Sequence, residues 1–350
     1  MSLTLLQVGL LALSAFGVTV WRKTRRSPAA SVGPVAAASD APRLSDLDAS
    51  LLQSVNKATA DRLWAYCYGA ATKSRSTQRM DELVRNNVIA VLQVDALANN
   101  YFPRRPTLMS ELLRALDDPG TASGKLSRMI AHDPVLTADI LRLANSSLYR
   151  VSAHPIETVQ RAVAVCGVDA LRGMLAAAMM RPVFKATSKN FPRVPRALWT
   201  RTERAARAAE LYALATHPDR RFESQMAVLV NALGPLVVYS AVVDVYSRNT
   251  LFHPNAALCV ALTSELAPQL ACRVAHDWQM SPSLIEVLEG SGDKSLTNAL
   301  HMGELLGTLA FLESQTVVSR KERSGVLLSA GAPENFADSL WESLAVRRTT

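Results

Sequence analysis

The chain has 350 residues, of which 49% are apolar and 19% charged, enough to fill a sizeable core and too apolar for a disordered polypeptide. Aromatic residues are scarce at 6% while alanine and leucine abound, and runs alternating Val, Ile, Thr and Tyr are hard to find, so an all-α protein is expected. The net charge of +8 is unevenly spread: from Arg181 to Arg207 eight basic residues face a single acid, Glu203, and the rest of the chain is nearly neutral. Four cysteines, Cys67, Cys166, Cys259 and Cys272, form no CxxC pair, which points away from a zinc knuckle or a disulfide framework and toward small core residues in a reducing compartment.

In chain order, Leu3 to Trp21 carries no charge, and its 19 residues would reach ~28 Å as a helix, close to the ~30 Å hydrocarbon thickness of a bilayer. The basic run WRKTRR follows the apolar stretch instead of preceding it, the reverse of a cleaved secretory signal. By the positive-inside tendency, Arg22, Lys23, Arg25 and Arg26 stay in the cytoplasm. The expectation is a single-pass anchor in a bacterial inner membrane over residues 1–21, with the main domain cytoplasmic. Residues 22–45 read as a basic juxtamembrane segment and a flexible linker rich in Ser, Ala, Pro and Gly. Residues 46–99 hold two helical patterns, LLQSVNKATADRLWAY and MDELVRNNVIAVLQVDAL, expected to pair as a hairpin that packs on the main domain or on a second copy.

Beyond PRRPTL the chain falls into short helices with clear start and stop signals. Ser110 caps an expected helix through Leu112, Leu113 and Leu116, and the next carries Leu126, Met129 and Ile130 on one face. Asp133 and Pro134 supply an N-cap and a first-turn proline ahead of Leu136, Ile140 and Leu143. Val159, Ala162, Val163 and Cys166 share a further helix that stops at Gly167. The run IAHDPVLTADILRLANSSLYR, followed by PIETVQRAVAVCGVDALRGML, closely resembles the signature of the HDOD domain, an all-helical bacterial relative of the HD phosphohydrolases. The resemblance is most specific over residues 130–175. It continues more weakly through residues 198–215, 228–238 and 278–288, giving an expected domain over 103–315 and a C-terminal segment over 316–350.

The HD enzymes hold one or two metals with a His on one helix, a His-Asp pair on another and a further acid near the end. The resemblance places the first His within Trp199-Thr200-Arg201-Thr202, the pair at Asn231 and Ala232 in VLVNALG, and the terminal acid at Glu304. Asn is a poor substitute for imidazole and Ala offers no ligand atom, so no metal, no cofactor and no catalytic residue are expected. Two literal His-Asp dipeptides are decoys on this reading. Asp133 of His132-Asp133 has a capping role, while His276 and Asp277 are adjacent on a helix and so point ~100° apart. The remaining histidines, His154, His217, His253 and His301, show no ligand spacing, and nucleotide-binding glycine loops and G-x-S-x-G are lacking.

The cationic stretch offers a candidate anion site at Arg193, Arg196, Arg201, Arg204 and Arg207, the last three lining a helix edge at three-residue steps. Nearby rings are few, so base stacking has thin support. The resemblance implies a non-enzymatic signalling or scaffold protein that works through regulatory protein partners, with homo-oligomers possible. The alternatives are a membrane-tethered binder of nucleic acid or cyclic dinucleotide through the basic segment, and a divergent metal-dependent phosphohydrolase.

Overall fold

A computed structural model describes residues 47–69, 76–93, 101–106, 130, 133–150, 154–184, 188–249, 251–332, 341 and 344. The chain divides into two compact units, 1–34 and 35–350, and every described residue belongs to the second. The expected membrane helix, the linker to residue 45 and the helix starting at Ser110 lie outside the described residues.

All regular structure among the described residues is helical, as expected. Helix α1, Ala49–Tyr68, begins where the Asp48 carboxylate accepts from the Ser50 and Leu51 amides, and ends at Gly69 in the left-handed region. Helix α2, Gln78–Gln93, buries Val84, Val88 and Leu92 at four-residue steps. In the signature region, α3 is Pro134–Ala144, α4 Val159–Cys166 and α5 Val168–Met180. The long α6 covers Val194–Thr216, followed by α7, Arg221–Asn231, and α8, Leu233–Arg248. Helices α9, Ala256–Asp277, α10, Pro282–Glu289, α11, Lys294–Ser314, and α12, Arg320–Ser329, complete the order.

The two helices expected to pair as a hairpin instead pack separately on this body, α1 against α11 and α9 and α2 against α8. The Asn56 amide of α1 donates to the His301 carbonyl at 3.0 Å, Tyr68 Oη meets Thr263 Oγ1 at 3.1 Å, and Asn255 Nδ2 donates to Asp81 of α2 at 2.7 Å. These bonds frame a seam filled by Leu52, Leu63 and Trp64.

One described stretch, Pro218–Arg248, is apolar and long enough to cross a membrane by length and composition alone. It includes α7 and α8, and 78% of its most apolar window is buried inside the protein, so its apolarity serves the core. VLVNALG forms the joint between these two helices, where Val228, Leu229, Val230, Ala232 and Leu233 are fully buried.

Two helix pairs approach too closely for ordinary side chains. A Cβ on Gly303 would sit 2.7 Å from the Ala205 carbonyl oxygen, and one on Gly307 2.5 Å from the Ala205 backbone, so α11 rests against α6 through glycine facing alanine. At Gly234 of α8 an added Cβ would lie 2.0 Å from the Ala267 carbonyl oxygen of α9. Gly307→Ala is expected to lower unfolding stability by ~1–3 kcal/mol through forced separation of α6 and α11. Gly325→Ala on α12, where an added Cβ meets nothing within 4 Å, is expected to be neutral or to add up to ~1 kcal/mol. Urea denaturation of the two variants checks the contrast.

Candidate functional site

The expected cationic edge divides in two. Arg193 and Arg196 are exposed at the start of α6, and the Arg193 guanidinium lies 6.0 Å from the centre of the Tyr66 ring. Arg201, Arg204 and Arg207 are only 3%, 9% and 9% exposed. These three do not form a solvent-facing helix edge. Helix α6 is covered by α11, α7 and α1, and a guanidinium that leaves water must find counter-charges or acceptors inside.

Each of the three has found them. Arg201 Nε donates to Thr308 Oγ1 at 3.0 Å, and its guanidinium pairs with Glu304. Arg204 Nη1 donates to the Ala310 carbonyl at 2.6 Å and to Ser314 Oγ at 3.0 Å, both in the last turns of α11, where the negative end of the helix dipole favours a cation. Arg207 Nη1 donates to Glu210 Oε2 at 2.7 Å, and the guanidinium lies 4.8 Å from the Tyr149 ring centre.

Glu210, 2% exposed, holds a second arginine with its other oxygen, Arg221 Nη2 at 2.7 Å, and Arg221 Nη1 reaches Asp169 at 3.5 Å. Burial opposes the charge on Arg207, but the Glu210 carboxylate more than offsets it and raises the guanidinium above its ordinary range. Tyr149 accepts from Gln225 Nε2 at 3.1 Å, and Gln225 packs where any side chain at Gly173 would collide with it. One buried carboxylate therefore joins α5, α6 and α7 to the end of the signature. Sequence reasoning missed this hub, although the three-residue step from Arg207 to Glu210 on one helix was visible.

The signature residues have structural work of the same kind. Asp133 Oδ1 accepts from the amides of Val135 and Leu136 at 2.8 and 3.0 Å, the expected cap. Asn145 Nδ2 donates to the Leu141 and Ile156 carbonyls at 2.9 and 2.8 Å, and its Oδ1 accepts from the Ile156 amide at 2.8 Å. The side chain thus pins residue 156 to the end of α3. Gly167, with φ +83°, ends α4 and starts α5 in a backbone region that disfavours L side chains.

A scan of protein families matches the model described as HDOD domain to residues 102–292, more than half of the sequence. The chain belongs to the HDOD domain family. Among solved structures, an HDOD domain protein of unknown function from Geobacter sulfurreducens aligns at 20% identity and TM-score 0.51, covering 76% of this chain and 94% of that one. A Shewanella amazonensis protein named as a candidate metal-dependent phosphohydrolase aligns at 17% identity and TM-score 0.49, covering 77% and 100%. The likeness to the Geobacter sulfurreducens protein is one of fold alone. No match was found among curated proteins.

The relation of HDOD domains to HD phosphohydrolases implies a metal, and the residues present do not fit one. Ala232 is fully buried among apolar neighbours, Trp199 is buried, Thr202 Oγ1 donates back to the Leu198 carbonyl at 2.7 Å, and Glu304 is paired with Arg201. His276 Nε2 lies 3.0 Å from Glu289 Oε1 on the surface, while His132 falls outside the described residues. Among the described residues no group of three or more His, Cys, Asp or Glu is placed to hold an ion. Burial pushes the His301 imidazole down to about 4, so this ring is neutral at physiological pH.

Glu210→Ala leaves the buried Arg207 without its counter-charge and beside the half-buried Arg221. The expected loss is ~3–5 kcal/mol by urea denaturation, and a loss under ~1 kcal/mol would remove Glu210 from the centre of the fold.

Proposed function

We propose that this HDOD protein is a non-enzymatic signalling or scaffold component that works through protein contacts of its helical domain, held at the bacterial inner membrane by Leu3 to Trp21. The observation that carries the reading is the VLVNALG joint. Where an HD enzyme would present a His-Asp pair, α7 ends at the half-buried Asn231 and the fully buried Ala232 joins it to α8. A domain that keeps the body of a hydrolase while its ligand positions are given to packing has its surfaces left to act with. The anchor supports the same reading from the sequence, because tethering raises the local concentration of a recruiting domain beside membrane-bound partners.

In-cell crosslinking of the anchored protein, followed by nuclease treatment and identification of the attached material, tests it. A defined set of proteins that survives nuclease is expected. Complexes that collapse with nuclease would instead favour nucleic-acid binding, a reading supported by Arg193 and Arg196, the exposed pair among the five candidate arginines. A strong loss of binding on replacing those two by Glu, with little change on conservative replacement of Arg204, would carry that alternative.

Restoring the dipeptide as Asn231→His with Ala232→Asp is expected to give no hydrolysis of phosphomonoesters or phosphodiesters above background, since the other ligand positions stay unfit. The same variant is expected to be less stable than the parent, because an aspartate at 232 enters an apolar site without a partner. Metal-dependent turnover in the double variant would sink the non-enzymatic reading.

A further inference from the structure

We infer that the Arg201 guanidinium is the resident cation of this domain, occupying in charge and position the role that a metal ion plays in an HD-type bundle. This inference rests on the family assignment and the α6–α11 geometry, so it stands or falls separately from the scaffold reading.

The resemblance places the first metal-binding His within residues 199–202 of α6 and the terminal acid at Glu304 of α11. In the folded chain those two positions meet. Arg201 and Glu304 form an ion pair whose side chains are 4% and 9% exposed, and Thr308 Oγ1 accepts from Arg201 Nε one turn further along α11. Gly303 and Gly307 against Ala205 and Ala209 let α11 come this near to α6. Helix α1 closes the remaining side. Cys67 is buried close enough for the Arg201 charge to act on its thiol, although burial dominates and pushes that thiol up to about 12.

The local chemistry is that of a cation already supplied. A single carboxylate faces a single guanidinium, and the other Glu304 oxygen, Oε1, is buried without a hydrogen-bond partner. A divalent ion added here would meet one carboxylate oxygen and a fixed positive charge, in a low-dielectric setting where like charges repel strongly. The guanidinium is covalently attached and planar, and burial lowers it only to about 10, so near neutral pH it neutralises Glu304 without dissociating and without lowering the pKa of any bound water. The bundle thereby gains independence from divalent metals.

The test is thermal unfolding of the full-length protein in detergent, together with elemental analysis. For the parent, EDTA and added Mg2+, Mn2+ or Zn2+ are each expected to leave Tm unchanged, and no divalent metal is expected to copurify in stoichiometric amount. Arg201→Met is expected to lower Tm by roughly 5–15 °C, because it strands the buried Glu304 charge. Adding Glu304→Gln to Arg201→Met is expected to recover more than half of that drop, since the stranded charge is gone. If Arg201→Met does not accumulate in folded form, the single variant Glu304→Gln, which keeps the guanidinium and a neutral acceptor, carries the comparison with a smaller drop in Tm. A parent that retains stoichiometric metal, or whose Tm falls with EDTA, overturns the inference. So does a double variant no more stable than Arg201→Met, because the charge pairing would then not be the role of Arg201. Stoichiometric metal without hydrolytic activity would overturn the resident cation alone and leave the scaffold reading untouched.

Discussion

The contact of α6 with α11 is the constraint on which the rest of the domain depends. Two glycines one turn apart, Gly303 and Gly307, lie against Ala205 and Ala209, and the backbones come as near as such small residues allow. At that distance the side chains that flank the contact have little freedom. Arg201 is brought onto Glu304 and Thr308, and Arg204 onto the carboxyl end of α11. Helix α1 then packs across the pair, so that residues upstream of the family match and residues downstream of it complete one core.

Three arginines on one helix serve this arrangement in three ways. Arg201 answers a carboxylate, Arg204 a carbonyl and a hydroxyl near the carboxyl end of α11, and Arg207 shares Glu210 with Arg221 while lying over Tyr149. Buried ion pairs of this type are weak additions to stability when compared with apolar replacements, but removing one member is severe. They fix which helix lies beside which, because a misplaced neighbour would leave a charge alone in the core.

Much of the signature region was legible in the sequence, for local reasons. Asp133 ahead of Pro134 and Gly167 after Cys166 carry their structural meaning within a few residues, and the amphipathic spacing of α3 and α4 is a property of short windows. The fate of Arg201, Arg204 and Arg207 was not legible, because their partners Glu304, Thr308 and Ala310 lie about one hundred residues downstream, and three-residue spacing on an isolated helix looks like a solvated edge. Two signals could have corrected this. The alanines at 205, 206, 208 and 209 are too small for a helix with only one buried face, and the four-residue glycine spacing in GELLG marks a helix that comes close to another.

Asn145 separates what the family motif requires from what catalysis requires. Its amide nitrogen donates to two carbonyls while its oxygen accepts from one amide, so a loop of about ten residues is closed by one side chain acting as donor and acceptor together. Aspartate has the same outline, yet it would set acceptors against acceptors at Leu141 and Ile156. The motif is therefore a clasp made specific by the two ends of an amide, and its survival asks nothing of the metal chemistry. The clasp fastens the segment after α3 back onto that helix through one amide, and any residue that lacked either its donor or its acceptor would leave the Ile156 backbone unpaired on one side.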